Sequence, residues 1–177
     1  YCIIMATCMY GEVLDNFILA NGDGRNGKGM IHELLMAMLG SYAYLTPSSI
    51  LTQKKKQAGG NPEMGNLRNK RLALFREPDE GVLQNLAVIK DLTGSSMINA
   101  RMLYSNECEG RHGATFIEEC KARPNFRGRV DDDATQERVV DFLFRATFTQ
   151  DEDLIDGKTY FAQNKHYITD EFRERHK

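Results

Sequence analysis

No two of the four cysteines, Cys2, Cys8, Cys108 and Cys120, form a Cys-x-x-Cys pair. The chain therefore lacks the spacing of a zinc site or a redox dithiol, and the scatter reads as reduced thiols rather than a disulfide framework. No proline- or glycine-rich linker, internal repeat or low-complexity tract divides the 177 residues, so one domain with a real hydrophobic core is expected. There is no long apolar run: the opening, residues 1–10, is short, has no basic residues before it and runs into Gly11-Glu12. It is expected to be neither a signal peptide nor a membrane span. Nor is there an excess of basic charge; the net charge of −2 does not advertise nucleic-acid binding. The apolar fraction of 41% and the charged fraction of 27% are those of an ordinary globular protein. The first residue is not methionine and the pattern opens midway, so the chain is expected to be a segment of something longer.

What is present is an alternation of apolar runs and helical periodicities. Residues 16–21 predict a short buried strand ending at a glycine-rich turn. Residues 30–39 predict a helix stopped by Gly40. A polar loop follows between Thr52 and Asn66, carrying Lys54-Lys55-Lys56, a charge run that could track a phosphate backbone but is ordinarily solvated. Residues 71–75 predict the next strand, broken at Glu77-Pro78, and residues 83–92 a helix ending at Thr93-Gly94. Residues 115–119 and 139–144 predict further strands. Strands alternating with helices imply an α/β domain with a central, mostly parallel sheet flanked by helices. Residues 1–150 are read as this domain, and 151–177 as a charged, partly helical C-terminal segment.

The most informative stretch is Gly22-Asp23-Gly24-Arg25-Asn26-Gly27-Lys28, which fits G-x-x-x-x-G-K between a strand and a helix. Its glycines let successive backbone N–H groups turn onto phosphate oxygens. The helix that follows points its positive end at the same place, and Lys28 supplies a cation for the outer phosphates. The alternative is a plain glycine-rich turn. The residue after the lysine should be Ser or Thr, whose hydroxyl binds Mg²⁺, but Gly29 stands there. The phosphate cradle survives that change, and water can replace the lost ligand because Mg²⁺ ordinarily keeps several waters. Some fifty residues on, Glu77 stands at the tip of an apolar strand, where a carboxylate would hold Mg²⁺ through water and orient the attacking water. Asp79 is a lesser candidate, and a solvated strand end is the bland alternative.

Taken together with Lys90-Asp91-Leu92-Thr93-Gly94, Arg101-Met102-Leu103-Tyr104 and Asp133-Ala134-Thr135-Gln136-Glu137-Arg138, these motifs resemble the superfamily 3 helicases. The resemblance is closest to the primase–helicase group of large DNA viruses and phages, the poxvirus type, and runs over roughly residues 1–148. It implies a P-loop NTPase of AAA+-like fold that uses ATP and Mg²⁺ and works as a homohexameric ring on single-stranded DNA. The ring would carry primase or other flanking domains on the same polypeptide, and would act at the viral replication site in the cytoplasm or nucleus of an infected host cell. Such a motor grips DNA only at its central pore, so a net charge near zero weighs little against it.

By family position, Arg138 would be the arginine that reaches a neighbouring subunit's phosphates; paired with Asp133 or Glu137 it would be only a surface residue. Residues 97–116 would hold the pore hairpin, with arms and tip in Ser105–Ala114 and Arg111 and His112 on DNA. Lys121 stands where the family carries a γ-phosphate-sensing Asn, and Ser95-Ser96 where relatives often carry Gly-Asp. Together with Gly29, these departures bear on hydrolysis rather than on the fold. Two other functions compete. A nucleotide-binding ring subunit with impaired hydrolysis would suit Gly29 and Lys121. A small-molecule kinase would share the phosphate loop but has no use for the segment between Gly94 and Phe116.

Overall fold

The computed structural model describes residues 1–53, 62–77, 81–99, 109–128 and 133–164. In chain order the elements are α1 (Cys2–Tyr10), β1 (Phe17–Asn21), α2 (Lys28–Leu39), β2 (Ala43–Thr46), α3 (Ser49–Thr52), α4 (Pro62–Gly65), β3 (Leu72–Phe75), β4 (Gln84–Asn85) and α5 (Leu86–Thr93). Then come β5 (Met97–Asn99), β6 (Glu109–Arg111), β7 (Thr115–Cys120), β8 (Phe126–Arg127), α6 (Asp133–Arg138), β9 (Val139–Leu143), β10 (Thr147–Thr149) and β11 (Tyr160–Ala162).

Five strands form one sheet in the order β2-β3-β7-β1-β9, and every pairing in it is parallel. A parallel sheet needs crossovers that cover both its faces, and its inner strands therefore read as unbroken apolar runs. Phe17-Ile18-Leu19-Ala20 in β1 is such a run, and all four residues are buried. Alternate residues serve opposite layers. Phe17, Leu19, Ala73, Phe75 and Phe116 pack with Leu86, Ile89 and Leu92 of α5. Ile18, Ala20, Leu72, Leu74 and Ile117 pack with Cys8 of α1 and with Leu35 and Leu39 of α2. Because β1 lies between β7 and β9, the chain leaves its carboxyl end in one direction and later returns on both sides. That is a topological switch point, where open α/β sheets place their ligands.

Several sequence expectations shift. Helix α2 begins at Lys28, two residues before the expected start, because Gly27 adopts the left-handed conformation (φ 77°) and turns the chain directly into it. The helix expected from residue 83 starts at Leu86, since Gln84–Asn85 pairs with β8 and the Asn85 side chain caps Ala87 N–H at 3.0 Å. Strand β2 was not foreseen; it is a four-residue edge strand with only Thr46 buried. The apolar opening is helix α1, closed by Gly11 at φ 73°. In the tail, Tyr160–Ala162 is a strand parallel to Thr147–Thr149, so the expected boundary at residue 150 runs through a small ribbon. The only helical turn among the described residues beyond 150 is the 3₁₀ turn Glu152–Leu154. No helix among the described residues is long and apolar enough to cross a membrane.

The hairpin also differs from expectation. Its arms are β5 and β6, antiparallel with Met97 opposite Arg111, rather than two arms within Ser105–Ala114. Gly110 lies inside a strand, where the Arg68 side chain packs against it (a Cβ there would meet Arg68 Cγ at 3.2 Å). Residues 100–108, including Arg101 to Tyr104, lie outside the described residues, as do Lys54 to Lys56, Pro78 and Asp79.

Candidate functional site

The loop from Gly22 to Lys28 leaves the carboxyl end of β1 and is held from two sides. Gly22 N–H donates to Cys120 O at the end of β7 (3.2 Å). Its φ of 148° and its crowding leave no space for a side chain: a Cβ would stand 2.6 Å from Asn26 Nδ2 and 2.7 Å from Phe144 O. Arg25 sits at φ 62°, which costs a non-glycine residue about 1 kcal/mol. The turn is braced by Phe148 N–H, which donates to Arg25 O at 2.7 Å. The Phe148 ring also closes on Gly27, where a Cβ would meet it at 3.0 Å. The segment after β9 thus clamps the loop from outside the sheet.

Within the loop, Asn26 is 7% exposed. Its Oδ1 accepts from Lys28 N–H (3.2 Å), while its Nδ2 is buried without a hydrogen-bond partner among the described residues. Lys28 Nζ donates to Gly22 O (3.0 Å) and to Cys120 O (2.7 Å). The ammonium is thus already placed over the carboxyl ends of β1 and β7. Gly24, on the exposed lip, has nothing within 4 Å of a built Cβ, so the mouth of the loop is open. An open glycine mouth and a lysine on the floor suit a polyphosphate, whose oxygens accept from backbone N–H groups and from the ammonium.

Glu77 and Lys121 come from adjacent strands. Glu77 lies two residues past β3 and Lys121 one residue past β7, and their charged groups are 3.4 Å apart, both well exposed. Arg138, the last residue of α6, donates from one guanidinium nitrogen to Lys90 O (3.3 Å) and Thr93 Oγ1 (3.2 Å). It therefore caps the carboxyl end of α5, where the helix dipole favours a cation. It also fills the space a side chain at Gly94 would need, since a Cβ there would stand 2.9 Å from that nitrogen.

His112 is not placed for DNA. It is 4% exposed and packs edge-on against Phe116, with ring centroids 5.2 Å apart. Its Nδ1 accepts from Ala114 N–H (3.2 Å) and its Nε2–H donates to Ser95 O (2.9 Å). Burial lowers its pKa, so the ring stays neutral. Both nitrogens are used inside the fold, and of the expected pair only Arg111 faces solvent.

Sequence reasoning missed two carboxylates on β7, one buried and one partly exposed. Glu119 Oε1 accepts from His32 Nδ1 at 2.5 Å, and His32 Nε2 in turn accepts from the Tyr1 hydroxyl. Burial raises the Tyr1 pKa, so the phenol keeps the proton it donates. Glu118, fully buried on the opposite face, accepts from Gln84 Nε2 at 2.5 Å. Desolvation raises its carboxyl to about 7. Burial, then the nearby Glu118, pushes the Cys120 thiol up to about 12, so it is an inert core thiol. The available signal was the pair Glu118-Glu119 at the end of an apolar strand, since consecutive strand residues face opposite layers.

An all-parallel sheet with the phosphate loop at its switch point makes this fold that of a P-loop NTPase. No family model matches the chain. In sequence it is similar to viral proteins described as helicases. It is 34% identical over 137 residues to "Putative helicase 022R" of frog virus 3 (isolate Goorha), covering 72% of this chain and 13% of that protein. It is 29% identical over 144 residues to "Putative helicase L207/L206" of Acanthamoeba polyphaga mimivirus, covering 79% and 15%. The chain thus spans about a seventh of the length of these relatives. In fold it is similar to the apo C-terminal region of NrS-1, residues 305–718, with a TM-score of 0.68 at 15% identity, covering 99% of this chain and 38% of that one. The printed names of these relatives agree with the viral helicase part of the resemblance drawn from the motifs.

Proposed function

We propose that the chain is the ATP-hydrolysing motor segment of a viral-type replicative helicase, acting in a homohexameric ring on single-stranded DNA. The observation that carries this reading is the loop itself. Lys28 Nζ stands over the ends of β1 and β7, with the unmet Asn26 Nδ2 beside it and the Glu77 carboxylate beyond the adjacent strand. When bound, MgATP supplies the phosphoryl group and the neutralising metal. The loop N–H groups and Lys28 would hold and orient the phosphates, and Glu77 would accept from a metal-bound water and orient the attacking one. Arg138 leaves its helix cap to meet a neighbouring subunit's phosphates. Arg111, at the base of the hairpin, contacts the strand's backbone.

The test is ATP hydrolysis by the full-length protein with and without single-stranded DNA, at concentrations that assemble a ring. DNA-stimulated turnover is expected. Nucleotide binding with no turnover would instead favour a second reading, a ring subunit with impaired hydrolysis. That reading draws on the Lys121 ammonium beside Glu77, which already holds the carboxylate the metal would use.

A further inference from the structure

Position 29 lacks the hydroxyl that a phosphate loop normally offers to magnesium, and the fold brings a carboxylate to the same place. Strand β7 turns Ile117 toward the layer of α1 and α2, so Glu119, two residues on, faces that layer at the carboxyl end of the strand, where α2 begins. A Cβ built on Gly29 would lie 3.8 Å from Glu119 Oε1. The next residue, Cys120, offers its carbonyl to Lys28 Nζ at 2.7 Å. The carboxylate is therefore one residue from the atom that positions the phosphate-loop lysine. We infer that Glu119 replaces the missing hydroxyl, holding one of the waters of a phosphate-bound divalent cation beside Gly29. The inference rests on the phosphate-loop reading above and extends it to the metal.

Three features favour this over a purely structural carboxylate. Glu119 is not adrift: His32 Nδ1–H holds it at 2.5 Å and the Tyr1 hydroxyl holds His32, a chain that fixes both the ring tautomer and the carboxylate's direction. One N–H occupies a single acceptor position of a carboxylate that has about four. The Glu119 side chain is still 16% exposed while His32 is sealed, so solvent reaches the Glu119 side chain. Mg²⁺ bound to phosphates keeps several waters, and a carboxylate accepting from one of them needs no direct ligation. The 3.8 Å gap is ordinary van der Waals space, so a serine at position 29 fits and would bring its hydroxyl to the same spot.

The experiment measures the affinity of a fluorescent ATP analogue for the full-length protein, first in EDTA and then in excess Mg²⁺, and takes the ratio. Glu119→Gln keeps an acceptor for His32 but loses the charge. It is expected to cut the magnesium-dependent gain by about five- to tenfold, the value of one charge-assisted hydrogen bond, and to leave the EDTA affinity unchanged. Adding Gly29→Ser to Glu119→Gln should restore the gain. An unchanged gain in Glu119→Gln, or no rescue by Gly29→Ser, overturns the inference and leaves the phosphate loop standing. No binding by the unaltered protein in either buffer overturns both. Should Glu119→Gln fail to fold, the unaltered protein decides: Mn²⁺ with ATP should broaden the His32 imidazole signals, and sharp signals at saturation overturn the proposal.

Discussion

The Glu77 carboxylate and the Lys121 ammonium lie 3.4 Å apart, bridging the ends of β3 and β7. An exposed pair of this kind contributes little to stability, about 0–1 kcal/mol, but it occupies the carboxylate to which the proposed mechanism assigns the metal-bound and attacking waters. Replacing Lys121 with Asn is expected to leave nucleotide affinity within about twofold and to raise turnover at saturating MgATP by about three- to tenfold. Steady-state ATPase rates check this, and an unchanged rate means that the pair does not limit the reaction. In the same assay Glu77→Gln should bind nucleotide normally and lose turnover by about 10²-fold or more.

Lys28→Ala removes the donor shared by Gly22 O and Cys120 O, and with it the cation on the loop floor. Nucleotide binding measured by calorimetry should fall below detection. Retained affinity would sink the phosphate-loop assignment.

Arg138→Ala should show two separable effects. Loss of the cap on α5 should lower stability by about 1 kcal/mol, read by denaturant unfolding. Loss of a group acting across subunits should lower turnover only in the assembled ring. Mixing Arg138→Ala with Lys28→Ala subunits distinguishes the two, since a residue acting in trans recovers part of the activity in mixed rings.

Glu118 makes stability depend on pH. Its folded pKa of about 7 lies above the ordinary 4.5 because burial penalises the ion. The native state therefore binds more protons than the unfolded state across that window, and stability falls as pH rises through it. The buried Glu118 Oε2 and Gln84 Oε1 both lack partners among the described residues, two acceptors short of one donor that a proton would supply. Glu118→Gln supplies a permanent donor. It should remove this pH dependence and gain about 1–3 kcal/mol above pH 7, checked by urea unfolding at pH 5.5 and 8.

The two halves of Arg111-His112 should separate. Arg111→Ala should reduce the salt dependence of single-stranded DNA binding by about one phosphate contact and leave stability within about 0.5 kcal/mol. His112→Ala should cost about 1–3 kcal/mol of stability, through the lost packing on Phe116 and the lost bonds to Ser95 and Ala114. A normal DNA affinity in folded His112→Ala supports its inward role.

Legibility followed the range of the interactions. β1, the loop and α2 were readable because a doubly buried strand, a glycine turn and a helix stop are each written in neighbouring residues. The start of α5 was misplaced because Gln84–Asn85 pairs with Phe126–Arg127, some forty residues away. β2 was missed because an edge strand with one buried residue carries no strong apolar pattern. Arg111 and His112 look alike as adjacent polar residues, and only packing turns one outward and the other onto Phe116.

By itself the sequence determined that a strand ends in a glycine-rich loop of the phosphate-binding pattern, that a helix follows with a lysine at its start, and that the alternation of elements yields a layered α/β domain. These follow from local backbone freedom, periodicity and charge. The tertiary structure decided which distant groups share the loop's surroundings. Parallel pairing in the order β2-β3-β7-β1-β9 sets Cys120 under Lys28, Lys121 against Glu77 and Glu119 beside Gly29. Strand order and register are fixed by how two apolar layers close over both faces of the sheet, and no local stretch of sequence carries that information.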